Sequence, residues 1–139
     1  MNYESCLKNA ILLMKSKNFL KAIDIFDQII VINPNQDDLL YNRGLAKFHL
    51  EKYEEAITDF NQAIKINHNI GEYFKKRSET KEKLKDYKGA LKDLDELDEL
   101  SYRGISYNPK HLNLPIEKSI NPDPNLLYNN GIIKYKLKK

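Results

Sequence analysis

Apolar residues recur at helical spacing through the first hundred positions of this chain, with charged and polar residues between them. The pattern is plainest in the middle of that stretch. Leu40, Gly44 and the pair Lys47-Phe48 mark one segment, over about 38–50, and Ala56, Ile57, Phe60, Ala63 and Ile64 mark a second, over about 53–66. The two predict a pair of helices joined by a short turn. Asn33-Pro34 ends the stretch before them, because proline disfavours helix continuation and biases the residue ahead of it to extended geometry. Asp37 and Asp38 follow, where carboxylates suit the positive end of a new helix.

The pairing repeats. Blocks 3–36, 37–70 and 71–104 superimpose without a gap. Small residues coincide at Ala10, Gly44 and Ser78, and again at Ala22, Ala56 and Ala90. Aromatic residues coincide at Phe19, Tyr53 and Tyr87, and large apolar ones at Phe26, Phe60 and Leu94. Ile29, Ala63 and Leu97 follow three positions on. A small side chain is needed where two helices cross closely, which suggests Gly44 against Ala56, and the aromatic fills the turn within each pair. The expected fold class is all-α, with a repeat domain over 1–104.

This spacing of small, aromatic and alanine positions, with a closing proline in the first block, resembles the tetratricopeptide repeat. LLYNRGLAKFHLEKYEEAITDFNQAIKIN in the middle block carries it best. The third block is looser, with Tyr102 where a proline is usual, and the middle block has His68 there. The resemblance implies an α-solenoid in which each pair stacks on the next, and about three are needed for stability. It also implies a concave face, lined by the first helix of each pair, that binds a peptide or helical segment of another protein. The groove residues it points to are Leu7, Ile11, Met14, Tyr41, Asn42, Leu45, Phe48 and Lys76. Some members of the family hold the carboxylate of a chaperone tail with a clamp of two cations and asparagines. The corresponding positions here are Leu7, Ile11, Asn42, Glu72 and Lys76; Asn42 matches, Lys76 is a conservative change, and the other three differ. Glu72 repels a carboxylate, so a chaperone tail is not the expected ligand.

Beyond the repeats, Pro109, Pro115 and Pro122 mark 105–123 as an irregular connector. In 124–139 the stretch LLYNNGIIKY echoes LLYNRGLAKF. It is read as a C-terminal helix resembling the first helix of a fourth repeat. Its apolar side chains are too many to leave in water, and three docking places compete. They are the second helix of the third repeat, as a cap; the groove; and another copy of the chain. The echo favours the cap.

Composition narrows the functional classes. The net charge of +3 falls well short of a dedicated nucleic-acid binder. Nucleic-acid association through Lys134, Lys136, Lys138 and Lys139, with Lys75, Lys76 and Arg77, stands as the alternative to protein binding, as does self-association within a larger assembly. No stretch reaches the roughly 18 apolar residues that a membrane span needs. Cys6 has no second cysteine to pair with, which fits a reducing, cytoplasmic compartment. His49, His68 and His111 lie far apart, no glycine-rich phosphate loop occurs, and no nucleophile stands beside a base. Neither catalysis nor a cofactor or metal is expected. The acidic run of Asp93, Asp95, Glu96, Asp98 and Glu99 reads as a solvated helix face.

Overall fold

A computed structural model describes residues 2–103. The connector over 105–123 and the C-terminal helix over 124–139 lie outside them. Six helices follow in order: α1 (Tyr3–Lys15), α2 (Phe19–Ile32), α3 (Asp37–His49), α4 (Tyr53–Ile66), α5 (Gly71–Lys83) and α6 (Tyr87–Tyr102). No strand occurs among the described residues. The chain divides into two compact units, one ending at His68 and one starting at Asn69.

Each hairpin turn uses the same device. The turn between α1 and α2 holds Lys17 at φ 60°, that between α3 and α4 holds Glu51 at φ 60°, and that between α5 and α6 holds Lys85 at φ 62°. These are left-handed conformations, which cost an L-residue roughly 1–2 kcal/mol. The turns are nevertheless held by hydrogen bonds to carbonyls of the preceding helix's last turns. Asn18 N–H donates to the Leu13 carbonyl at 2.8 Å, Lys52 N–H to the Lys47 carbonyl at 2.9 Å, and Asp86 N–H to the Lys81 carbonyl at 2.9 Å. A six-to-one bond of this kind is the Schellman closure, usually built on glycine. Helix starts are more varied. Asn2 Oδ1 accepts from Ser5 N–H at 2.8 Å to cap α1, and Asp86 Oδ1 accepts from Gly89 N–H at 3.0 Å at α6. Helix α3 relies on Asp37 and Asp38 in its first turn.

In the first unit, α1, α2 and α3 share one core. Ala10, Ala22, Phe26, Ile29 and Leu39 are buried together, and Tyr3, Cys6, Leu7, Leu13, Met14, Ile25 and Ile30 pack against them. Gly44 is required where α3 meets α4. A Cβ there would lie 2.6 Å from the Phe60 ring and 3.2 Å from the Asp59 Cβ. The atoms nearest Gly44 thus belong to Phe60 and Asp59, where the sequence suggested Ala56. A glycine at this point lets a full aromatic ring fill the crossing. The second unit solves the same crossing differently: Ser78 is buried, and its Oγ donates to the Ala90 carbonyl at 3.1 Å.

Between the helices of the second and third pairs lies a repeated ion cluster. Arg43 on α3 donates from Nε and Nη2 to the two oxygens of Asp59 on α4, at 2.9 and 2.6 Å. Lys47 Nζ stands 3.0 Å from the same carboxylate. Arg77, Lys81 and Asp93 reproduce this in α5 and α6, at 2.9, 2.6 and 2.9 Å. Both aspartates are almost fully buried. Asp93 therefore does not belong to the solvated acidic face the sequence suggested. It is the buried anion that two cations of α5 neutralise, as burial of a charge requires. The first pair carries Asn9, Leu13 and Ile25 at the corresponding positions and packs there with aliphatic groups.

Candidate functional site

The expected binding face is carried by the first helix of each pair, and in the first unit by α1 and α3. Their shared core positions these two helices. Tyr3 Oη donates to Gln36 Oε1 at 3.3 Å across the start of α3. At the other end Phe19, which opens α2, stacks on His49 with ring centroids 4.6 Å apart and planes 10° apart. Burial raises the Tyr3 phenol above its ordinary pKa, and the Asp38 carboxylate adds to the shift. The Arg43 guanidinium is raised as well, first through its hydrogen bonds to Asp59, with burial opposing and Asp27 assisting. Its Nη1 reaches Asp27 on α2 at 2.7 Å, so Arg43 joins the first pair to the second.

The groove residues read from the sequence separate into three groups. Ile11 and Leu45 are half-exposed at corresponding places on α1 and α3. Leu7 and Met14 are half-buried and pack partly on the core, which leaves part of each side chain open. Tyr41 and Asn42 are buried, contrary to a groove-lining role. The Tyr41 ring lies 5.6 Å from that of Phe60, inside the α3/α4 hairpin, and Asn42 Nδ2 donates to the Asp38 carbonyl one turn back at 2.9 Å. An amide that caps a backbone carbonyl of its own helix has less left to offer a ligand. Phe48 packs edge-on to Tyr53 at 5.5 Å and to His49 at 5.8 Å, so it supports the turn as well as facing outward. His49 is exposed and stacks on Phe19.

Lys76 lies on α5 in the second unit. Its Nζ pairs with Glu79 at 2.8 Å, so the charge is partly satisfied by its own helix. Its neighbour Arg77 is turned inward to Asp93 and lies over the Phe74 ring at 5.4 Å. The grouping of Lys75, Lys76 and Arg77 as one basic patch therefore does not survive: two of the three serve internal partners.

The sequence reading passed over four exposed apolar side chains. Leu12 on α1 and Leu20, Val31 and Ile32 on α2 are open to solvent, Val31 at 82% and Ile32 at 78%. The run IIVI at the end of α2 carried the signal, because one buried stripe cannot absorb four consecutive apolar residues. The ion clusters were legible too: an arginine, a lysine four on and an aspartate twelve further recur at the repeat offset in 43, 47, 59 and 77, 81, 93. Among the described residues, no group of three or more His, Cys, Asp or Glu side chains is placed to hold a metal ion. No described helix is long and apolar enough to cross a membrane.

A tetratricopeptide-repeat family model matches residues 9–72, from within α1 to the start of α5. Over that stretch the chain is similar to the tetratricopeptide-repeat family. No curated protein matches it in sequence at a significant level. Solved structures match closely in fold. The first tetratricopeptide-repeat domain of Spaghetti (RPAP3), bound to the HSP90 peptide SRMEEVD, is 19% identical with a TM-score of 0.77, over 97% of this chain and 92% of that one. The type III secretion translocator chaperone SycD of Yersinia enterocolitica is 15% identical with a TM-score of 0.79, over 98% and 86%. PcrH, in complex with the chaperone-binding region of PopD, is 13% identical with a TM-score of 0.74, over 97% and 90%. At these identities the likeness is one of fold, an all-α helical-repeat solenoid.

Proposed function

We propose that this chain is a protein-binding scaffold, an adaptor that takes a peptide or an amphipathic helix on the face formed by its first helices. The observation that carries the reading is the position of Ile11 and Leu45. Both are apolar and half-exposed, and they recur at the same place on two helices whose other sides are committed to a shared core. Apolar groups held rigidly at a surface favour association, because their burial then costs little ordering. Leu7 and Met14 extend the face, and Phe48 stands at its far end. The family supports the same reading: Spaghetti holds an HSP90 peptide and PcrH a segment of PopD on this fold. The role is non-catalytic, and a cytoplasmic setting suits the lone thiol of Cys6.

The double substitution Ile11→Asp with Leu45→Asp tests the face. Affinity capture from native lysate, compared between the wild type and this variant, is expected to lose its specific partner while far-UV helicity and melting temperature stay nearly unchanged. A partner captured equally by both proteins sinks the assignment. This pair is a cleaner probe than Phe48, whose loss also disturbs Tyr53 and His49.

The expectation that a chaperone tail is not the ligand rests on Leu7, Ile11 and Glu72. The fold lends it no support, since a structure of this fold holds the HSP90 peptide. Fluorescence anisotropy with a labelled SRMEEVD peptide is the direct check. Absence of binding at micromolar protein is expected from Leu7 and Glu72 where cations would stand and Ile11 where an asparagine would, and saturable binding would overturn it.

A further inference from the structure

On α2, Leu20, Asp24, Asp27 and Val31 follow one another at intervals of four, three and four, so they form one stripe along a single face of the helix. The stripe is about 16 Å long. All four residues are exposed, Leu20 at 60% and Val31 at 82%, whereas Ala22, Phe26 and Ile29 of the same helix are buried. The equivalent end positions on the other second helices are exposed too, but they are charged. Glu54 and Lys65 occupy them on α4, and Lys88 and Glu99 on α6. Folding of the repeat therefore does not call for apolar groups at Leu20 and Val31. Apolar groups grouped in water on one face mark a surface for association.

The middle of the stripe decides what it fits. Asp24 and Asp27 set two carboxylates between the apolar ends. Asp27 pairs with Arg43 at 2.7 Å, yet its side chain stays 53% exposed, and the acceptor sites of a carboxylate leave room for a second cation. A second copy of this chain is a poor occupant. If α2 packed on its own copy, parallel or antiparallel, aspartate would meet aspartate at the centre of the contact, and like charges disfavour it. We propose that the stripe is a second docking surface, which takes an amphipathic helix of another protein with lysine or arginine between two large apolar residues at the same four, three, four spacing. Its apolar ends meet Leu20 and Val31, and its cations meet Asp24 and Asp27. The spacing reads alike from either end, so the helix is accepted in either direction. This surface is independent of the face on the first helices proposed above.

The probe is a designed helical peptide of about 18 residues, with Leu, Lys, Lys and Leu at that spacing on one face and Ala and Gln elsewhere. A control peptide carries Glu at the two Lys positions. Fluorescence anisotropy against the full chain is expected to show saturable binding of the lysine peptide at micromolar concentration. The control binds about tenfold more weakly or worse, and salt at about 0.5 M narrows the difference. Leu20→Glu with Val31→Lys installs the residues that α4 carries at those places, so the fold tolerates the change. This variant is expected to lose about tenfold or more in affinity at an unchanged melting temperature. Asp24→Lys removes the preference between the two peptides. Ile11→Asp with Leu45→Asp leaves binding intact, which keeps failure of this surface distinct from failure of the first-helix face. Equal binding of both peptides, binding of neither, or loss confined to the Ile11 and Leu45 variant overturns the proposal. So does light scattering that finds a wild-type dimer dissociated by the Leu20 and Val31 variant, because the surface then serves a second copy.

Discussion

The hairpins α3/α4 and α5/α6 are built alike where their helices face each other and differently where they face outward. Arg43 and Arg77 hold Asp59 and Asp93 through matching pairs of bonds, and Lys47 and Lys81 reinforce each. Glu51 and Lys85 occupy the same left-handed turn, and Ala56 and Ala90 are both fully buried. On the outward side, Leu45 and Phe48 of α3 are replaced by Glu79 and Glu82 of α5. The contrast separates what the repeat needs in order to fold from what it is free to vary. Inward positions are constrained by a fixed crossing and by the cost of unpaired buried charge. Outward positions carry fewer such constraints, although Phe48 still packs on Tyr53 and Glu79 still pairs with Lys76.

The largest expected effect breaks the shared interior. Asp59→Ala and Asp93→Ala each remove the buried anion shared by two half-buried cations, of which Arg43 keeps Asp27, at a cost of about 3–5 kcal/mol, read by urea denaturation. Similar losses at the two sites support their equivalence. A loss below about 1 kcal/mol at either would show that solvent already screens that cluster.

A smaller effect sharpens the difference at the crossing. Gly44→Ala forces the Phe60 ring to move and is expected to cost about 1–3 kcal/mol. Ser78→Ala removes only a hydrogen bond to the Ala90 carbonyl, at about 1 kcal/mol. The order of the two midpoints is the measurement, and a reversed order contradicts the packing described for Gly44.

The smallest effect is a gain. Glu51→Gly and Lys85→Gly relieve the left-handed strain at the turns, offset in part by the greater entropy that glycine loses on folding. Each is expected to raise stability by about 0.5–1 kcal/mol, seen as a higher melting temperature. A loss at either site would mean that the side chain contributes more to the turn than its backbone costs.

Much of this was legible in the residues. The second helix of the middle pair spans Tyr53–Ile66, as its apolar spacing indicated, and the first begins at Asp37, one position before the expected start. These boundaries follow from local rules of periodicity, breaking and helix-end charge. The proposed binding face was less legible. Tyr41 and Leu45 were both read as groove residues, yet one is buried against Phe60 and the other is half-exposed. An apolar stripe on a helix is about 100° wide, so residues at its margin turn inward or outward according to how the next helix crosses. Asp93 was misplaced for a related reason, since five acids in one run look alike until two cations are found facing one of them.

By itself, the sequence determined the period, the all-α class and the helical pairing, because each is written in residue type at a fixed offset. The tertiary structure alone decided that Gly44 makes room for an aromatic ring. It also decided that three turns close through strained non-glycine residues, and that two aspartates are internal counter-ions. The first and last of these depend on distances between side chains far apart in sequence, and the turns on backbone geometry that residue type does not announce. A periodic pattern fixes which residues are equivalent, but the crossing of packed helices fixes what each one touches.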